Sequence, residues 1–180
     1  MRMRTAALLA WMTIFGASLG FLEMAVWAEE SGKRKPVATS TDGRFQDMGD
    51  GTILDSETQL MWMKQDYWQM EKKWVSWYSA QDFVRRMNNK KFAGYTDWRM
   101  PTSAEAKELY DRRRRNLDKD GDKIFIDQIF PEGAGWGTWT SEEKGNQALV
   151  VSYKDEGGET YQHKITGHDA FLRLVRGPAS

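Results

Sequence analysis

The densest chemical constellation in the chain is Asp118-Lys119-Asp120-Gly121-Asp122, with Asp127 five residues further on. Alternating aspartates around a glycine turn aim several carboxylates at one place. A hard cation needs such a place, since calcium takes ~6–8 oxygen ligands at roughly 2.3–2.6 Å. The pattern is not that of an EF-hand: the glycine comes one position early, and Ile129 stands where a bidentate glutamate belongs. Asp118, Asp120, Asp122 and Asp127 are therefore expected either to hold calcium weakly or to form a solvated acidic turn. The chain's 2 histidines, His163 and His168, straddle Gly167 with no evident third ligand, which does not make a zinc site.

Tryptophan is the second conspicuous feature, at 9 residues in 180. Trp62, Trp98 and Trp139 sit in apolar runs and are expected in the core. Trp68, Trp74 and Trp136 lie in polar or loop-like contexts. Trp68 and Trp136, with Tyr67, are the candidate ligand contacts, because an aromatic ring offers an apolar face and a polar edge to a partner. Arg112-Arg113-Arg114-Arg115 suits an anionic polysaccharide, a lipid headgroup or nucleic acid. The plainer reading is a solvated helix end that pairs with the aspartates after it. Arg99 is expected to pair with a helix acid, Glu105 or Glu108, and Asp50 and Asp55 to bond their own turns.

Catalytic patterns are scarce. No cysteine is present, which removes thiolate metal sites, disulfides and a cysteine nucleophile. Neither a Ser-His-acid ordering nor a phosphate-cradling glycine loop occurs. Acids are plentiful, but nothing selects one pair for glycoside hydrolysis. The 26 basic and 26 acidic side chains give zero net charge, which argues against a dedicated nucleic-acid binder.

These residues must be positioned by one domain of ordinary size. The first residues read as an address. Arg2 and Arg4 precede an uncharged run of 18 residues, Thr5 to Leu22, and Ala25-Val26-Trp27-Ala28 follows. This is the pattern of a secretory signal covering residues 1–28, with an uncleaved membrane anchor as the rival. No cysteine follows the run, so lipid modification there is excluded. Residues 29–180 carry 24 basic and 25 acidic side chains, still close to neutral. Residues 29–43 are polar and are expected to be a disordered lead-in.

From residue 44 onward the pattern is α+β. Short strands are expected at 45–48, 52–54 and 60–63, separated by Gly49-Asp50-Gly51 and Asp55-Ser56-Glu57-Thr58. Trp77, Ala80, Phe83, Val84 and Met87 recur at helical spacing after a Ser76 cap, which predicts a helix over 77–88. Thr102 and Glu105 form a capping-box pair for a second helix over 103–112. An irregular connection over 112–135 precedes strands at 136–140, 148–153, 160–165 and 171–176. Two helices packed on antiparallel sheet result.

Four segments in order carry a family resemblance. They are Gly49-Asp50-Gly51-Thr52-Ile53-Leu54-Asp55 leading to Thr58-Gln59-Leu60-Met61-Trp62; Ala93-Gly94-Tyr95-Thr96-Asp97-Trp98-Arg99-Met100-Pro101-Thr102; Phe130-Pro131 with Trp139-Thr140-Ser141; and Leu174-Val175-Arg176-Gly177. Over residues 44–177 the chain resembles the Lcl C-terminal domain family, a bacterial domain of unknown function. The resemblance implies a C-type-lectin-like fold, related to formylglycine-generating sulfatase-modifying enzymes. Those enzymes depend on a cysteine pair that this chain lacks, so their chemistry does not carry over. The collagen repeats of the family's namesake adhesin are absent too.

The expectation is an exported, non-catalytic binding module of the bacterial envelope, periplasmic or extracellular. It presents the loops 64–75 and 111–137 to a glycan or an envelope protein, not to nucleic acid. It meets membrane only if the N-terminal segment stays uncleaved. A hydrolase of envelope polymers and a structural subunit of an envelope assembly are the alternatives.

Overall fold

The structure is a computed structural model and describes residues 35–177. The expected signal segment and residues 29–34 of the lead-in lie outside the described residues. Ten strands and three α-helices make an α+β domain, with β1 at Ala38–Thr39, β2 at Phe45–Asp47, β3 at Thr52–Asp55 and β4 at Met61–Met63. These four join β10, Val175–Arg176, in one antiparallel sheet of order β1-β2-β3-β4-β10. A small hairpin pairs β5, Asn116–Leu117, with β6, Lys123–Ile124. A second antiparallel sheet holds β7, β8 and β9, at Gly137–Lys144, Gln147–Ser152 and Glu159–His163.

Strands β3, β4 and β10 of this sheet are buried on both faces, which is why Met61-Trp62-Met63 reads as a continuous apolar run. Side chains alternate across a strand. Leu54, Met61 and Met63 therefore join one core with Phe83, Trp98 and Trp139, while Ile53 and Trp62 join another with Phe45, Leu109 and Phe130. Trp62, Trp98 and Trp139 are buried as expected. The Nε1–H groups of Trp98 and Trp139 donate to the Phe92 and Val75 carbonyls.

Among the described residues three α-helices form, one more than expected. The extra one is α1, Tyr67–Glu71, inside the segment read as a loop. The amphipathic α2 spans Trp77–Asn89 with Ser76 as N-cap, and buries Trp77, Ala80, Phe83 and Met87. The third, α3, covers only Ser103–Lys107, with the Thr102–Glu105 capping box in place. It stops short of residue 112 because the chain tightens there. Leu109 and Tyr110 donate N–H bonds three residues back, and the Asp111 N–H then goes to the Phe125 carbonyl. Arg99 makes a bidentate pair with Glu105, Nη1–Oε2 at 2.7 Å and Nη2–Oε1 at 2.6 Å, and this carboxylate is only 1% exposed. Glu108 instead meets Arg44.

Two expectations about the ends need correcting. The sheet begins at Ala38, not near Arg44, because Ala38 and Thr39 pair with Asp47 and Gln46. Residues 171–174 are buried but are not a strand. They thread between two layers: the Phe171 carbonyl accepts from Trp139 N–H, and the Leu172 and Leu174 carbonyls accept from Tyr67 and Met63 N–H.

Candidate functional site

Helix α1 is short, so neighbours must hold it. Asp66 is its N-cap: one carboxylate oxygen accepts from the Gln69 N–H at 2.8 Å, and the Gln69 side chain accepts from the Asp66 N–H. The other oxygen of Asp66 accepts from the Gly135 N–H at 2.6 Å. The Gln69 amide donates to the Pro131 and Glu132 carbonyls. Helix and loop 131–135 are thus pinned together at both a carboxylate and an amide. Gly135 permits this approach, because a Cβ there would stand 2.0 Å from the Phe171 ring.

Asp66 is buried beside Arg173 and Tyr153, both buried as well. Burial pushes the Asp66 carboxyl up, against the pull of Arg173 and of the Gly135 and Gln69 N–H groups. Burial lowers Arg173, against the opposing influence of Asp66 and Tyr153, and raises the Tyr153 phenol. The Arg173 guanidinium donates to the Met63 and Lys64 carbonyls and lies 4.7 Å from the Phe130 ring centroid. This polar group is closed to solvent and braces the ground under α1.

Above it lies an aromatic shelf. The Trp68 and Trp74 ring centroids are 5.8 Å apart, and the Trp74 and His168 centroids 4.9 Å apart. Trp74 is 37% exposed and His168 is exposed, while Trp68 is half-buried. Phe171 underlies the shelf, edge-on to Trp68 at 6.3 Å and to Trp136 at 5.8 Å. Across the shelf reaches Lys119, whose Nζ is 4.9 Å from the Trp68 centroid and 5.6 Å from the Trp74 centroid. Its ammonium also pairs with the exposed Asp120 carboxylate at 2.7 Å.

Of the expected ligand contacts, Trp68 stands in this shelf. Tyr67 packs edge-on to Phe83 at 5.0 Å, and Trp136 is half-buried against both cores. Both serve the shelf as support. The acidic loop comes to the shelf through Lys119, and neither Lys119 nor His168 carried a binding signal in the sequence.

The carboxylates of that loop go to different partners. Asp118 is buried and accepts from the Asp120 and Asp122 N–H groups, both at 2.9 Å, so it closes its own turn. Lys154 Nζ bridges Asp118 and Asp122 at 2.8 Å each. Burial raises the Asp118 carboxyl, but Lys154 and the two N–H groups outweigh it and leave it below the usual range. Asp127 pairs with Arg114. Among the described residues, no three His, Cys, Asp or Glu side chains form a group that could hold a metal ion.

The arginine run is off the helix, contrary to the expected helix end. Arg113 pairs with Asp111, Arg114 with Asp42, Asp111 and Asp127, and Arg112 with Glu156. Arg115 donates to the Arg112 and Arg114 carbonyls and lies 4.8 Å from the Phe125 ring centroid. Arg113 draws the Asp111 carboxyl down to about 2. An open cleft of about 810 Å³ runs beside these arginines and residues 38–42. Its arginines are matched by Asp42, Asp111 and Asp127, so its charge is largely compensated within the chain. Asp50 and Asp55 accept from the Thr52 and Glu57 N–H groups, as turn residues do.

These features define an α+β domain with a braced aromatic shelf. A family model, the Lcl C-terminal domain, matches residues 51–176, and the chain belongs to that family. No match was found among curated proteins or among solved structures. No helix among the described residues is long and apolar enough to cross a membrane.

Proposed function

We propose that this domain is an exported, non-catalytic binding module of the bacterial envelope that takes a glycan on the Trp68–Trp74–His168 shelf. The observation that carries the reading is the shelf itself: Trp74 meets Trp68 on one side and His168 on the other, and the shelf is open to solvent at Trp74 and His168. A sugar ring presents C–H groups to an aromatic face and hydroxyls to its rim, and the rim here carries the exposed Asp120 carboxylate. Preorganisation supports the reading too. Asp66 and Gln69 fix α1 before any ligand arrives, which lowers the ordering cost of binding.

Glycan-array screening followed by calorimetric titration tests this. Binding should be lost in Trp68→Ala and Trp74→Ala and kept in Tyr78→Ala, a ring exposed elsewhere on α2. Equal affinity in all three variants overturns the shelf as the site.

A further inference from the structure

The shelf already holds a cation. Lys119 Nζ lies near both tryptophan faces, and only 9% of its side chain is exposed. An ammonium over two indole rings is attracted by their electron-rich faces, more strongly when sheltered from water. Asp120 supplies the matching negative charge at 2.7 Å. The ring of His168 completes a third side against Trp74. Two indoles and a carboxylate around one ammonium, with an imidazole against the outer indole, make a receptor for a positively charged amine, occupied here by the chain's own lysine.

This occupant can be exchanged for another ammonium. Its carboxylate partner is exposed, so a ligand can reach the ion pair from solvent. Lys119 sits on the turn between Asp118 and Gly121, where Gly121 has φ +85° and the Asp118 carboxylate organises the backbone. The turn is therefore fixed by Asp118, and the Lys119 side chain can swing out without unmaking it.

We propose that the ligand is a glycan bearing free amines, a polymer of deacetylated amino sugar, whose ammonium replaces that of Lys119 between Trp68, Trp74 and Asp120. This rests on the glycan reading above and names the ligand class. The sugar ring stacks on Trp74, the exposed face, and the amine enters where Lys119 leaves. Lys119 thereby acts as a plug that neutral sugars have no charge to displace.

The test uses the full chain, titrated by calorimetry with a β-1,4-linked glucosamine tetramer and with its fully N-acetylated counterpart. In Lys119→Ala, where no lysine competes, the amine form should bind roughly tenfold more tightly, the scale of a sheltered cation–π contact, and the native chain should show a smaller preference in the same direction. Lys119→Ala should raise affinity for the amine tetramer and leave the acetylated one little changed. Trp68→Phe, which keeps a stacking face with a weaker cation–π attraction, should narrow the preference for the amine. Equal binding of the two tetramers overturns the amine inference and leaves the glycan reading standing. Binding of neither tetramer to the native chain or to Lys119→Ala overturns the amine inference, and the array then decides the glycan reading separately. Thermal unfolding of each variant checks that it folds.

Discussion

Asp66 is the residue on which the geometry of the shelf depends most, so Asp66→Ala is the most informative perturbation of the scaffold. It removes the N-cap of α1, and loss of such a cap costs about 1 kcal/mol. It also strands the Gly135 N–H, a buried donor whose loss of partner costs about 1–3 kcal/mol. Arg173 keeps its bonds to the Met63 and Lys64 carbonyls but loses the anion beside it. Relief of the carboxylate's own burial offsets part of this. The net expectation is a loss of about 3 kcal/mol, set mainly by the lost cap and the stranded donor. For a domain of this size, that is a fall in Tm of about 10 °C. Asp66→Asn keeps a good cap but offers the Gly135 N–H an amide donor in place of an acceptor, and should lose about half as much. Thermal unfolding followed by circular dichroism measures both, and glycan titration of the folded variants should show weakened binding because Trp68 rides on α1. A loss under about 1 kcal/mol in Asp66→Ala would refute the claim that this carboxylate braces the shelf.

Glu105→Gln keeps the Thr102 capping box but breaks the charge pair with Arg99, and should destabilise the fold by about 3 kcal/mol in denaturant titration. Gly135→Ala drives a methyl into the Phe171 ring and should cost more than the ~1–3 kcal/mol usual for overpacking, with the tryptophan emission of the shelf altered. Acid should destabilise the domain in a defined window. Asp111 has its carboxyl lowered to about 2 from 3.8, and Asp118 is lowered too. Their contribution is present above 3.8 and lost as pH falls toward 2. Asp66 runs the other way: its raised carboxyl weighs against the fold as pH rises through its folded value. A variant with Asp111→Asn and Asp118→Asn should therefore lose stability at neutral pH and show a flatter acid limb in pH-dependent melting.

Much of the scaffold was legible because its signals are local. Gly49-Asp50-Gly51 and the Asp55 turn divide three strands, and the 3.6-residue spacing after Ser76 marks α2. The Arg99–Glu105 pair followed from an arginine set just before a capped helix. Helix α1 was missed although Asp66 and Gln69 have capping-box spacing, because five polar-flanked residues carry no apolar period. The acidic loop was read with two outcomes open, and the partners of its carboxylates depend on tertiary contacts. Its spacing is right for converging carboxylates, but Asp118 turns inward to its own backbone and Lys154, from β8's far end, bridges it to Asp122. The shelf was half legible. Trp68 and Trp74 lie six residues apart, but the approach of Lys119 and His168 depends on tertiary structure with no trace in local sequence.

The central claim is that ligand arrives at Trp68, Trp74 and His168, and the tryptophans provide their own controls. The direct measurement is a ¹H–¹⁵N spectrum of the indole N–H groups during titration with the best glycan from the array. The Trp68 and Trp74 resonances are expected to shift in a saturable way, with the His168 ring following. Those of the buried Trp62, Trp98 and Trp139 should stay in place. Saturable binding that leaves Trp68 and Trp74 unmoved would contradict the account.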